Sequence, residues 1–183
     1  MPSHDLMILR RAATADLSPA DLAELRDLLD HAYDDGFDDE DWRHALGGTH
    51  VLGRIGGDLV AHAAVRPRTL WLDGTVRRTG YVEAVAVAQP LRGRGLGTAL
   101  MAEVADVIAA EYELGGLCAS APAMPLYLRL GWQQWPGPTH VRTDDGPVPT
   151  PEEDGAVFVL LPPGLRAVPG TGLGCDWRDG DVW

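Results

Sequence analysis

Arg92-Gly93-Arg94-Gly95-Leu96-Gly97-Thr98 interleaves two guanidinium groups with three glycines at every second position. The chemistry this spacing allows is anion binding. Without Cβ atoms, Gly93, Gly95 and Gly97 let the backbone approach a ligand closely with its N–H groups turned outward. From Leu96 the apolar positions Leu100, Val104, Val107 and Ile108 recur at three and four residues, which is one face of a helix. The first N–H groups and positive dipole end of that helix face the same point as the loop. A diphosphate suits such a site. Ahead of it, Tyr81, Val85 and Val87 stand in a run of small and β-branched residues that suits a strand, which Gln89-Pro90 ends.

Three phosphate-binding loops compete for this stretch. The P-loop needs a lysine followed by Ser or Thr, and the loop has no lysine. The dinucleotide fingerprint Gly-x-Gly-x-x-Gly fails because the glycines here are spaced by two throughout. A plain glycine-rich turn explains neither the arginines nor the apolar strand before them. What remains, Arg92-x-x-Gly95-x-Gly97 between strand and helix, resembles the acyl-CoA pyrophosphate loop of the GNAT superfamily of N-acetyltransferases.

Within that superfamily the chain resembles the aminoglycoside 2′-N-acetyltransferases of actinobacteria along nearly its whole length. The resemblance rests on Phe37-x-x-x-Asp41-Trp42, His44 to Gly48, Ala61-His62-Ala63-Ala64-Val65, Gly80-Tyr81-Val82-Glu83, Leu126-Tyr127, Gly131-Trp132, Gly137-Pro138-Thr139, Asp154-Gly155, Val157 to Leu160, and the terminal Cys175-Asp176-Trp177-Arg178 with Gly180-Asp181-Val182-Trp183. It implies a mixed-sheet α/β fold, α+β in character, whose central strands splay apart. Acetyl-CoA is then the donor, held by the backbone of Val85, Ala86 and Val87 and by Arg92, Gly93, Arg94, Gly95, Leu96, Gly97 and Thr98. The resemblance also implies a homodimer.

Acetyl transfer needs a neutral amine, a polarised thioester carbonyl and a proton for the departing thiolate. Glu83 lies among Tyr81, Val82, Ala84 and Val85, where an unpaired carboxylate is unfavourable, and is expected to act as base directly or through water. Tyr127 is placed by the resemblance beside the CoA sulfur as general acid, and a phenol is protonated at neutral pH. The Val85 N–H is the expected donor to the carbonyl oxygen. A polycationic aminoglycoside would be recognised by Asp35, Gly36, Asp41, Glu83, Ala84, Cys118, Glu152, Glu153, Asp181 and Trp183. Cys118 stands where relatives present serine, and its thiol is the weaker donor. No histidine–acid pair accompanies it in sequence, so direct transfer in a ternary complex is expected rather than a covalent intermediate.

These residues must be positioned by the rest of the chain, whose 183 residues are read as one domain with a segment, 162–183, docked near the acceptor site. Met7 to Arg11 suits a strand. Ser18-Pro19-Ala20-Asp21 starts a helix that ends near Tyr33, and a second runs over Asp39 to Leu46. His50 to Ile55 and Asp58 to Arg66 form a hairpin about Gly56-Gly57. Another turns at Asp73-Gly74 and leads into Tyr81. Leu117 to Ser120 suits a buried strand and Pro122 to Leu130 a short helix. Further strand material lies at Trp132 to Trp135, Thr139 to Arg142 and Ala156 to Leu161. Prolines from Pro136 to Pro151 mark a long loop.

Composition sets the remaining bounds. A net charge of −12 disfavours nucleic acid and anionic membranes, both of which attract basic patches. No apolar run is long enough for a membrane span and no signal-peptide core appears, which together with two unframed cysteines points to the cytoplasm. The absence of a CxxC or histidine cluster argues against a metal site. Two other functions fit the same motifs: a GNAT enzyme acting on a polyamine, cell-wall amino sugar or peptide terminus, and a non-catalytic acyl-CoA sensor. The presence of both Glu83 and Tyr127 favours turnover.

Overall fold

Two hairpin turns and one helix cap set the frame in this computed structural model, which describes residues 6–34 and 36–183. Contacts divide the chain into two units, one of residues up to Arg66 with Val82–Val104, the other of Pro67–Tyr81 with Ala105–Trp183. Strands β3 (Asp58–Leu72) and β4 (Thr75–Val87) contribute to both.

In the first unit β1 (Ile8–Ala13) pairs antiparallel with β2 (Thr49–Ile55), and β2 with the first half of β3. Gly56 and Gly57 both have positive φ, as a two-residue hairpin turn demands. The ladder starts at Ile55↔Asp58 but slips by one residue between Gly53 and Arg54, so that His50 lies opposite Ala64 and Leu52 opposite His62. Without that slip His50 would face Ala63, and the two histidines would point to opposite sides of the sheet.

Helix α1 (Pro19–Ala32) begins with a reciprocal cap: Ser18 Oγ accepts from the Asp21 N–H, and the Asp21 carboxylate accepts from the Ser18 N–H, each at 3.1 Å. Its Leu25, Leu28 and Leu29 are buried with Phe37, Leu52, Leu59 and Ala86. Helix α2 (Asp39–Ala45) repeats the device, Asp38 capping it and Asp41 returning the bond. Helix α3 (Leu96–Glu111) buries Leu100, Val104, Val107 and Ile108, the face expected from its periodicity.

The second unit is a mixed sheet. Here β5 (Leu114–Cys118) runs parallel to β4 over Thr79–Tyr81, where the ladder ends at Tyr81↔Gly116. After α4 (Met124–Arg129) come β6 (Gln133–Gln134), β7 (Thr139–Thr143), β8 (Gly146–Pro149), β9 (Val157–Leu160) and β10 (Leu173–Asp176). Strand β9 pairs antiparallel with β5 and β6; β10 inserts between β3 (antiparallel) and β7 (parallel), and β8 closes the edge on β7.

Two expectations need correction. Strand β5 starts at Leu114 rather than Leu117, because Gly115 and Gly116 are there for space. A Cβ on Gly115 would come within 2.9 Å of Ile108 and Trp132, and one on Gly116 within 3.0 Å of Leu70 and Tyr81. The proline-marked loop holds a strand, β8, whose Pro147 and Pro149 are tolerated at a sheet edge.

The C-terminal residues are woven in rather than loose. The Arg68 guanidinium, buried 4.7 Å from the Tyr81 ring centroid, bonds both the carboxylate and the carbonyl oxygen of Asp176. Trp183 is buried and its indole N–H donates to Thr150 Oγ1 at 2.9 Å. Arg178 donates to the backbone oxygens of Asp181 and Trp183.

Because the Ser18 cap satisfies a helix N–H, Ser18→Ala is expected to lower unfolding free energy by about 1 kcal/mol and the melting temperature by roughly 2–4 °C. Ser18→Asp should keep most of that stability. Thermal and urea unfolding of the three proteins measure this.

Candidate active site

The glycine loop is reached from the end of β4 through a turn of 3-10 helix, Gln89–Leu91. Gly93 and Gly95 have φ of 77° and 83°, a region open to glycine, and a Cβ at either would meet no atom within 4 Å. Their backbone therefore lies bare to solvent at the start of α3. Arg94 is exposed there. Arg92 is committed differently: its Nε donates to Val87 O at 3.0 Å and one terminal nitrogen to Ala32 O at 2.8 Å, tying the loop to the ends of β4 and α1. Beside Pro90, Asp30, His31, Asp34 and Gln89 line a cavity of about 360 Å³ that has no counterpart among the sequence expectations.

Glu83, Ala84 and Val85 are half-buried on β4. Ala84 has φ of 51°, a left-handed conformation that a residue with a Cβ adopts at a cost of about 1 kcal/mol. Its carbonyl oxygen accepts from His62 Nδ1 at 2.8 Å, and the next carbonyl, of Val85, accepts from the Tyr33 hydroxyl at 3.0 Å.

Behind His62 runs a chain of short contacts. His62 Nε2 lies 2.9 Å from His50 Nδ1, and His50 Nε2 lies 2.7 Å from Thr14 Oγ1, which accepts from the Gly47 N–H at 2.8 Å. A carbonyl oxygen only accepts, so His62 carries its proton on Nδ1, and in the neutral ring its Nε2 must accept from His50. His50 then accepts from the Thr14 hydroxyl. Both imidazoles are fully buried, and that burial depresses their pKa values to about 4 for His50 and about 3 for His62. Arg66 lowers His50 further, and His50 lowers His62.

Of the remaining acceptor candidates in the first unit, Gly36 is exposed and donates its N–H to Tyr33 O, while Asp41 serves the α2 cap. Asp35 lies outside the described residues.

In the second unit Tyr127, on α4, is buried against Trp132 and Phe158, each 6.1 Å away between ring centroids. Desolvation pushes its phenol up to about 12, so the hydroxyl keeps its proton at any physiological pH. Cys118 is exposed at the end of β5, and its thiol donates to Glu153 Oε2 at 3.3 Å. Glu152 and Asp181 are exposed, whereas Trp183 is buried.

A family model described as the Acetyltransferase (GNAT) family matches residues 15–132. The chain belongs to the GNAT family. It is 45% identical over 177 residues to an aminoglycoside 2′-N-acetyltransferase of Mycolicibacterium fortuitum, covering 95% of this chain and 91% of that protein. Among solved structures, the GNAT family N-acetyltransferase YhbS of Escherichia coli, in complex with CoA, is 16% identical with a TM-score of 0.67, over 94% of this chain and 90% of that one. A GNAT acetyltransferase of Brucella melitensis, in complex with acetyl-CoA, is 17% identical with a TM-score of 0.60, over 93% and 96%. These likenesses concern the fold.

In this GNAT chain, His62 and Tyr33 bond the backbone of β4, with His50 and Thr14 behind His62, and sequence reasoning gave none of the four a role. The signal was an Ala-His-Ala-Ala run inside a buried strand, where a histidine needs partners for both ring nitrogens.

The histidines also set a pH dependence. Their folded pKa values lie below the ordinary 6.5, so the unfolded chain takes up protons first as pH falls. The stability they confer is complete above about 6.5 and declines towards their folded pKa values near 4 and 3. Between pH 6.5 and 5 the loss is expected to be on the order of 2 kcal/mol per imidazole. Urea unfolding across that window measures it, and a His50→Gln/His62→Asn double variant should show a flatter profile.

Proposed function

We propose that the chain is an acetyl-CoA-dependent N-acetyltransferase acting on the 2′-amino group of aminoglycosides, in one domain spanning residues 1–183. The observation that carries this reading is the relatedness of almost the whole chain to the M. fortuitum enzyme. The bare backbone of Gly93 and Gly95 at the start of α3 supports it, since a diphosphate needs such N–H groups. Arg94 adds charge, and Arg92 holds the loop in shape.

The amine arrives as an alkylammonium of pKa about 10, and its deprotonation at pH 7 costs about 4 kcal/mol. Glu83 takes that proton, directly or through water. The amine nitrogen then attacks the thioester carbon while the Val85 N–H stabilises charge on the carbonyl oxygen. As the C–S bond breaks, its electron pair goes to sulfur, and the Tyr127 hydroxyl donates a hydrogen bond to the forming thiolate. A phenol near 12 does not yield its proton for good to an alkyl thiolate of pKa about 8.5. The proton that ends on CoA is thus supplied, in balance, by the amine.

The acceptor is held by acids. Glu152, Glu153 and Asp181, with the C-terminal segment 162–183, border the acceptor in this reading, and Gly36, Asp41, Ala84, Cys118 and Trp183 complete its surroundings. The Cys118 thiol, already donating to Glu153, orders that carboxylate. The enzyme works in the cytoplasm as a homodimer, without nucleic acid, membrane or metal. No described helix is long and apolar enough to cross a membrane. Among the described residues no cluster of His, Cys, Asp and Glu could hold a metal ion.

The test is acetyl-CoA consumption with matched aminoglycosides bearing a 2′-amino or a 2′-hydroxyl group. Turnover with the former alone is expected; equal turnover removes the 2′ assignment, and turnover confined to polyamines or peptide termini replaces the substrate class. Tyr127→Phe should lower kcat about 10- to 100-fold with little change in the KM for acetyl-CoA. An unaltered kcat would end the tyrosine's role.

A further inference from the structure

The histidine chain behind β4 ends on a peptide group that matters to this chemistry. Ala84 O is bonded by His62, which stands on β3. No cis peptide occurs among the described residues, so the Ala84 C=O and the Val85 N–H, sharing one planar trans peptide, point in opposite directions. A carbonyl turned towards β3 therefore turns the Val85 N–H away from β3. The following peptide is held separately, through the Tyr33 bond to Val85 O.

We propose that His62, backed by His50 and Thr14, is a positioning residue for acetyl transfer: by pinning the Ala84 carbonyl it aims the Val85 N–H at the thioester oxygen. His62 touches neither reactant in this scheme and acts through the backbone. The inference rests on the reading of Val85 as the carbonyl-oxygen donor.

Several features make this more than core packing. The series runs from the Gly47 N–H through Thr14, His50 and His62 to Ala84 O; only the Thr14 hydroxyl has two acceptors in reach, His50 Nε2 at 2.7 Å and Gly48 O at 3.3 Å, and the shorter contact continues the series. The order of protons is dictated by its last member, because a carbonyl cannot donate. The series crosses from the end of β1 through β2 and β3 to β4, and the register slip at Gly53/Arg54 is what sets both rings on one side of the sheet. The price is a left-handed alanine, which the His62 bond offsets. A leucine of similar size could fill the space of His62 but could not hold the carbonyl.

The experiment pairs two substitutions with a spectroscopic measurement. Nitrogen-15 NMR of the wild-type protein at pH 7 should show His62 and His50 both neutral with the proton on Nδ1. His62→Leu should lower kcat about 10- to 100-fold while the KM for acetyl-CoA stays within about threefold, since a misaimed donor weakens the transition state more than the ground state. His62→Asn, whose amide nitrogen can occupy the place of Nδ1, should recover most of kcat. A proton on Nε2 of His62, an unchanged kcat in His62→Leu, or equal impairment of the Leu and Asn variants at similar melting temperatures would each overturn the proposal. Should His62→Leu fail to fold, the tautomers and the Asn variant decide. A wild-type protein that acetylates no amine removes the enzymatic reading, and the tautomers still judge whether His62 pins Ala84.

Discussion

One hydrogen bond, from a neutral buried imidazole to the carbonyl of Ala84, is the constraint on which the arrangement of β4 depends. A strand residue with a Cβ does not turn left-handed unaided, and here the conformation persists at Ala84 between half-buried Glu83 and Val85. Reversing it would rotate a peptide group and exchange the directions of a C=O and an N–H. The bond is worth about 1 kcal/mol in net terms, but breaking it inside a protein costs more, because His62 would keep a buried N–H with no acceptor. That asymmetry makes the left-handed Ala84 a stable feature of the strand.

The same logic explains why two histidines are used where one bond is needed. A buried imidazole has a donor and an acceptor to satisfy. Giving the donor of His62 to Ala84 leaves its Nε2 wanting a proton, which His50 supplies, and His50 passes the need to the Thr14 hydroxyl. Thr14 and Gly47 lie at the end of β1 and beside the end of α2, where the debt can be met by a backbone N–H. Charge never enters the chain of bonds, and burial holds both rings neutral well below physiological pH.

How much of this was legible in the sequence depended on whether the signal was local. Turns at Gly56-Gly57 and Asp73-Gly74 and the cap Ser18-Pro19-Ala20-Asp21 carry their geometry in adjacent residues, and all three form as expected. The loop at Gly93 and Gly95 was legible for the same reason. Strand β5 was not, because Gly115 and Gly116 look like breakers until Ile108, Trp132, Leu70 and Tyr81 are seen crowding them. Strand β8 hid behind Pro147 and Pro149, which only an edge position excuses. The histidine pair was hidden most deeply. A hairpin read straight from its glycine turn places His50 and His62 on opposite faces, and a one-residue slip inside the ladder, invisible in composition, reverses that.

The acids show how a charge pattern divides once the chain folds. Six carboxylates crowd Asp34 to Asp41, yet Asp38 and Asp41 cap α2, Asp39 pairs with Arg26, and Asp34 accepts from Gln89. Asp154 holds Thr139, and Asp176 binds buried Arg68. Each of these is spent on local architecture, so the count of negative charges overstates what could meet a polycation at close range. At distances approaching a Debye length the distinction fades, because a net charge of −12 attracts a cation whichever carboxylates carry it. Encounter therefore draws on the whole surface, where Glu152 and Asp181 are among the exposed acids, while Glu153 accepts from the Cys118 thiol. A thiol there donates more weakly than a hydroxyl would.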